Sequence, residues 1–269
     1  MPRLSIVIVS CNSLADLEGC LRSLTDPPTG IDHEILVVDN ASTDGTPQYL
    51  HQRWPGIRLV EAGGNLGFAK ANNLGIRQTF GDLVLLLNPD TIVPAGEIDR
   101  LVAALDADPR AAVAGPRIVD AGGRAELSFG RMMSPLAELW QKILVKVPTL
   151  VERLTTTTRY VDWVSGACLL IRRGDLEAAG LLDERYFMYA EDVDLCAAVR
   201  ARGRKVLFAA GARVVHLRGQ SVKSAPAATE AAYRRSQIAF YDKHHPGWAP
   251  LLRAYLKIRG RLPDRSDNP

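Results

Sequence analysis

Four cysteines in 269 residues are too few and too scattered for a disulfide framework. Cys11, Cys20, Cys168 and Cys196 make no Cys-x-x-Cys pair and no zinc spacing, so they read as small buried hydrophobes in a reducing, cytoplasmic compartment. No uncharged apolar run approaches the ~18–20 residues that cross a bilayer, and the opening MPRLSIVIVS reads as a strand rather than a leader. A net charge of +3, with no basic stretch interleaved with aromatics, argues against a nucleic-acid partner. No Gly-x-Gly-x-x-Gly follows the first strand-like run, which turns away a dinucleotide-dependent oxidoreductase. The basic glycine-rich loop expected of a nucleotidyltransferase is missing too. What is present, 47% apolar and 23% charged residues, is the make-up of a globular chain that can bury one large core or two modest ones.

The first half alternates strand and helix. Strands are predicted over 4–9, 34–39 (EILVVD), 57–61 and 83–87. Helices are predicted over 14–24, with Ser13 and Asp16 as a capping box, after Pro47, and over 69–80. Residues 83–87 are wholly apolar, as a parallel strand covered on both faces should be. This alternation predicts an α/β fold with a mostly parallel, doubly wound sheet, which binds ligands at the carboxyl ends of its strands. The second half is less regular. It reads as a hairpin around Gly122 and Gly123, an amphipathic stretch over 131–147, a mobile loop at TTTT (155–158) and a strand within VDWVSGACLLI. A helix opening on three acids and one or two strands in KVLFAAGARVVHL follow, then a helical, basic tail from about 229. One catalytic domain over 1–228, with halves of about 1–115 and 116–228, and a tail over 229–269 is the simplest division.

Polar residues collect just beyond the predicted strand ends. Asp39, Asn65 and Asn88–Asp90 lie there, the last in LLLNPDT, where Asp90 could hold a metal or polar ligand or only complete a turn. Glu191, Asp192 and Asp194 open a helix, where acids favour the dipole; the aromatic run RYFMY before them would also raise a carboxylate pKa toward that of a general base. His216 ends a strand and gains interest only with Asp90 nearby, since Asp with His suits a divalent metal. Asn72 and Asn73 are poor helix-interior residues, which a ligand contact would explain.

Taken in order, SIVIVSCNS, LVVDNASTDGT, NLGFAKANNLGI, LLLNPDT, SGACLLIRR, LLDERYFMYAEDVDLC and HLRGQS resemble the family 2 glycosyltransferases of the GT-A fold, and within them the rhamnosyltransferase-like branch. The resemblance spans roughly residues 4–245. It implies inverting transfer of a sugar from a nucleoside diphosphate to an acceptor hydroxyl. It assigns Asp90 and His216 to Mg²⁺ or Mn²⁺, with Asn88 standing where the family's metal turn has its first acid. Asp192 matches the catalytic base. Asp39 matches the residue on the nucleoside base, with Ser10 and Asn12 beside it and Asn65 and Asn72 on the donor side. Trp163, Gly166 and Glu191 fall where the acceptor pocket is shaped.

The same branch implies dTDP-L-rhamnose as donor, with a UDP-linked hexose or galactofuranose as the alternative, and a cell-surface glycan or polyprenyl-linked saccharide as acceptor. A non-catalytic sugar-nucleotide-binding module is the rival on the same scaffold. The amphipathic stretch 131–147 and the basic tail suit peripheral contact with the inner face of a membrane, or equally packing on the chain's own domain or on a second subunit in a homodimer.

Overall fold

The computed structural model describes residues 1–217 and 226–263. In chain order the amino-terminal half runs β1 (Leu4–Ser10), α1 (Leu14–Thr25), β2 (His33–Asp39), α2 (Thr46–Arg53), β3 (Arg58–Glu61), α3 (Gly67–Ile76), β4 (Leu83–Leu87), β5 (Thr91–Ile92), α4 (Glu97–Asp106) and β6 (Ala111–Val119). The second half adds β7 (Phe129–Gly130), α5 (Pro135–Leu144), α6 (Pro148–Leu154), β8 (Arg159–Val161), β9 (Trp163–Val164), β10 (Cys168–Arg172), α7 (Arg173–Ala179), α8 (Glu191–Ala201) and β11 (Lys205–His216). A long helix, Pro226–His244, and a final helix, Ala249–Ile258, follow.

The main sheet has the order β3-β2-β1-β4-β10-β6-β11-β5, with β8 also pairing β11. The first four strands are mutually parallel, and β10 enters between β4 and β6 antiparallel to both. Side chains of β4 alternate between two cores, as the two-residue period of a strand requires. Leu83, Leu85 and Leu87 pack with Leu17, Leu21 and Leu101 on one face. Val84 and Leu86 pack with Ile76, Leu176 and Leu195 on the other. The wholly apolar strand is therefore buried from both sides.

Several local expectations are corrected. Ser13 does not cap α1 with its side chain. Asp44 reaches across from the next loop, accepting from the Leu14 N–H at 2.9 Å and the Thr46 N–H at 3.1 Å, and so serves two helices. α3 starts at Gly67 and stops at Ile76, ahead of the turn at Gly81. The TTTT stretch is tied at both ends: Thr155 is buried, with Oγ1 donating to Glu152 O at the end of α6, and Thr158 Oγ1 accepts from the Ala210 N–H. Cys11 is half-buried rather than buried. Burial pushes the Cys20 and Cys196 thiols up to about 12, leaving them inert at neutral pH. Arg218, Gly219, Gln220 and Ser221 of the HLRGQS motif lie outside the described residues.

The long helix docks on α8 through a buried charge. Asp194, only 2% exposed, accepts from Lys243 Nζ at 2.8 Å and the Tyr186 hydroxyl at 3.2 Å and meets His244 Nε2 at 2.6 Å. Phe240 and Tyr241 bury with Tyr186 and Val193 around it. The third acid of the helix start is thus structural, and Lys243 points inward rather than onto a basic surface. Removing one partner of a buried pair strands the other. Asp194→Ala should therefore cost about 3 kcal/mol, lowering the thermal unfolding midpoint by about 6–12 °C. A midpoint within a degree or two of the parent would show that the docking does not depend on this charge.

Candidate active site

Four strand ends and one helix start meet along the carboxyl edge of the sheet. At the end of β2, Asp39 is 3% exposed. Its Oδ2 accepts from the Ser42 N–H at 3.1 Å, while its Oδ1 is buried with no hydrogen-bond partner. A buried carboxylate oxygen left unpaired is costly, and a ligand N–H or O–H would satisfy it. Beside it Ser10 is buried at the end of β1, its hydroxyl 2.9 Å from that of Ser13. Asn12, at φ +51°, spends its Oδ1 on the Thr43 N–H at 2.7 Å, which pins the first loop to the second.

The asparagines of the glycine-rich stretch mainly build the protein. Asn65 Oδ1 accepts from Asn40 at 2.9 Å and from the Gly67 N–H at 3.1 Å. Asn40 also accepts from the Leu66 N–H, so it organises this loop, a role that the sequence alone did not mark. Asn72 donates to Phe68 O within its own helix, and Asn73 clamps Leu182 and Glu184. Gly67 sits at φ +77°, where an added Cβ would strike Phe187, and the Phe68 N–H donates to Phe187 O at 2.6 Å. The glycine-rich loop is thereby stitched to the segment that leads into Asp192.

Beyond β4, the Asn88 N–H donates to Ala167 O at 2.9 Å, continuing the β4–β10 ladder. Asp90 and His216 come together, Oδ1 to Nε2 at 3.2 Å, because β11 pairs with β5 just past the turn. On the other ring nitrogen, Glu126 Oε2 lies 3.7 Å from His216 Nδ1. Glu126 is delivered by the Gly122–Gly123 turn after β6, and no spacing in the sequence announces it. Burial works to lower the His216 pKa, but the Asp90 and Glu126 carboxylates prevail and raise it to about 9. At neutral pH the imidazole therefore carries a proton that a metal ion would have to displace.

The donor set suits a divalent cation: one carboxylate, one imidazole, and a second carboxylate placed to orient the ring. Among the described residues no three His, Cys, Asp or Glu side chains form a metal-holding group. These residues would leave most of a cation's coordination positions to groups from outside the protein.

Asp192 occupies the start of α8. Its Oδ2 accepts from the Gly166 N–H at 2.8 Å, and its Oδ1 accepts from the Val193 N–H at 2.8 Å. Any side chain at Gly166 would crowd this carboxylate, since a Cβ there would lie 3.3 Å from Asp192 Cβ. Glu191 is 6% exposed, with Oε2 buried and unpartnered. Burial raises both carboxyl groups, and the Asp192 charge raises Glu191 further, well above the ordinary range. Tyr189 and Ala190, just before them, both hold left-handed backbones, at φ +72° and +66°. Such strain persists only where neighbours enforce it; here Ser236 Oγ donates to Met188 O at 2.7 Å and Tyr233 packs edge-on against Tyr189.

A cavity of about 240 Å³ opens over this carboxylate pair, lined by Trp163, Tyr189, Glu138 and Tyr233 among others. Trp163 is fixed by Nε1 donating to Arg131 O at 2.9 Å. A larger cleft of about 750 Å³, bounded by the closing turns of α1 and α2, contains none of the residues singled out from sequence.

Comparison with known proteins places this geometry. The description "Glycosyl transferase family 2" matches residues 5–177. An N-acetylglucosaminyl-diphospho-decaprenol L-rhamnosyltransferase of Mycobacterium tuberculosis is 37% identical, over 98% of this chain and 93% of its own length. The rhamnosyltransferase WbbL of Escherichia coli is 24% identical over 68% of the chain and 72% of its own. Among solved structures, a mannosyltransferase of Pyrobaculum calidifontis in complex with GDP-Man and Mn²⁺ superposes with a TM-score of 0.65 at 20% identity, covering 94% of this chain and 69% of that one. With that fold, the carboxylate pair over its cavity and a family match across most of the sequence, the chain belongs to glycosyl transferase family 2.

Proposed function

We propose that the chain transfers L-rhamnose, with inversion, from dTDP-L-rhamnose to a hydroxyl of a saccharide carried on a polyprenyl diphosphate. The sugar and the acceptor class rest on the near full-length relative of that named activity. The observation that most supports the chemistry is Asp192, held by the Gly166 N–H at the floor of a cavity large enough for part of a saccharide.

In this reading the half up to about residue 115 holds the donor, and about 116–228 with Tyr233 holds the acceptor. Asp39 takes a polar group of the nucleoside on its unpaired oxygen, with Ser10, Asn12 and Asn65 shaping the surrounding loops. Asn88 faces the donor beside Asp90. Asp90 and His216 would hold Mg²⁺ or Mn²⁺, which neutralises charge on the leaving diphosphate. Glu126 keeps the His216 ring turned toward Asp90. Asp192 takes the proton of the acceptor hydroxyl as that oxygen bonds to the anomeric carbon and the bond to the diphosphate oxygen breaks. Glu191 lies next to it, its pKa raised by burial and by the Asp192 charge, and lines the acceptor cavity. Trp163 walls the same cavity. The acceptor's lipid locates the reaction at the inner face of a membrane.

Thermal unfolding with dTDP, UDP and GDP, each with and without Mn²⁺ or Mg²⁺, tests the donor. A nucleotide at ~100 times its dissociation constant adds about 2.7 kcal/mol, and each kcal/mol moves a chain near this size by about 2–4 °C. A metal-dependent shift greatest with dTDP is expected. A shift with UDP alone would transfer the activity to a UDP-sugar, and none with any diphosphate would defeat it.

The pH profile tests the base. Asp192 must be ionised to act and its pKa is raised, so kcat/KM should fall as pH drops through a value above the ordinary carboxylate pKa of about 4. Glu191→Gln, which mimics the protonated acid, should keep that limb and most turnover. If Glu191→Gln instead abolished turnover, the base would be Glu191.

A further inference from the structure

We propose that α5 and the final helix together form a seat for an anionic lipid surface beside the acceptor cavity. α5 is strongly two-sided, yet none of its residues is buried. Leu136, Leu139, Trp140 and Ile143 recur at helical spacing, with exposures of 80%, 58%, 59% and 47%. A ten-residue helix has little stability of its own in water and normally depends on burying such a stripe. Trp248, Leu251, Tyr255 and Ile258 form a second exposed stripe along the final helix.

The two stripes are neighbours. Met132 and Met133, just before α5, pack in one cluster with Ala249 and Leu252 of the final helix, and His245 Nε2 meets Met133 O at 2.8 Å. Neighbouring exposed apolar stripes of this kind mark an interaction site.

The position of the seat identifies its occupant. At 100° per residue, Ala137, Glu138 and Gln141 lie on the face of α5 roughly opposite its apolar stripe, and these three line the cavity above Asp192. One helix therefore divides the acceptor cavity from the exposed apolar surface. An acceptor with its saccharide in the cavity and its lipid in a bilayer needs this adjacency.

Charge points the same way. Residues 245–263 carry Arg253, Lys257, Arg259 and Arg261 and no acid, and Lys142 and Lys146 lie on and just after α5. All six are exposed, with Arg253 held by Asp242. Cations flanking an apolar stripe match an anionic headgroup layer. A two-fold pairing of copies through the final helix would set like charges against each other.

The seat deepens the reading of a lipid-linked acceptor and is tested apart from it. The intact chain should co-sediment with vesicles of phosphatidylglycerol and phosphatidylcholine but not with phosphatidylcholine alone. Tryptophan emission should move to the blue on the anionic vesicles, since Trp140 and Trp248 are exposed. Lys257→Glu with Arg259→Glu, which leaves the apolar stripes intact, should weaken vesicle binding about tenfold or more. Leu251→Glu with Tyr255→Glu should abolish it. Both double variants should keep parent turnover on a short-chain, water-soluble form of the acceptor.

Absence of binding to anionic vesicles, or binding indifferent to both variants, would overturn the seat. So would a concentration-dependent dimer in sedimentation velocity that Leu251→Glu with Tyr255→Glu dissolves, because the surface would then belong to a second copy. Vesicle binding that follows the variants, with no turnover on any polyprenyl-type acceptor, would uphold the seat and reject the acceptor reading instead.

Discussion

The antiparallel pairing of β10 with β4 is the interaction on which the rest of the site depends. Cys168 lies opposite Leu87, so the chain enters β10 where β4 leaves the sheet. The next bond along the ladder, from the Asn88 N–H to Ala167 O, joins the turn carrying Asp90 to the turn carrying Gly166. Gly166 then presents its N–H to Asp192. A parallel strand in that place would send Gly166 to the far edge of the sheet and separate the carboxylate from the strand ends. Two apolar cores, one on each face of β4, hold this join rigid.

A second constraint acts on the carboxylates. The chain enters α8 through two consecutive left-handed residues that are not glycine, an arrangement more costly than an ordinary helix start. It is stabilised from the glycine-rich loop by Gly67 and Phe68 against Phe187, and from the carboxyl-terminal side by Ser236 on Met188. Burial that would be unfavourable in a structural helix raises the pKa of Asp192 toward that of a useful base. The long helix thus does more than close the fold, since Asp194 anchors it and it in turn supports the segment before Asp192.

Much of the scaffold was legible in the sequence because its amino-terminal strands are short, mostly apolar and bounded by turn residues. The parallel half and the strand-end position of Asp39 and Asp90 follow from that pattern, whereas the pairing of His216 with Asp90 was implied only by the family resemblance and is made by the β11–β5 contact. What escaped depends on contacts distant along the chain. Asp44 caps α1 from thirty positions away, so the local Ser13–Asp16 pattern misled. Glu126 reaches His216 only because a turn folds back on β6. Asp192 and Asp194 sit two residues apart in one acidic run and cannot be told apart by composition. About 200° of helix rotation separates them, turning one into the cavity and the other into the docking surface of the long helix. Asn72 and Asn73 resembled ligand contacts for a sound reason, their poor helix propensity, yet their amides bond to Phe68 O and to Leu182 and Glu184.

If Asp192 is the base proposed above, it acts on the acceptor and leaves donor binding alone. Calorimetric titration of Asp192→Asn with dTDP-L-rhamnose and Mn²⁺, paired with its turnover, tests this most directly. The account predicts a donor affinity close to that of the parent and turnover lower by about 10²–10⁴, the range of a lost general base. Turnover near the parent level, or donor affinity lost together with it, would contradict the account.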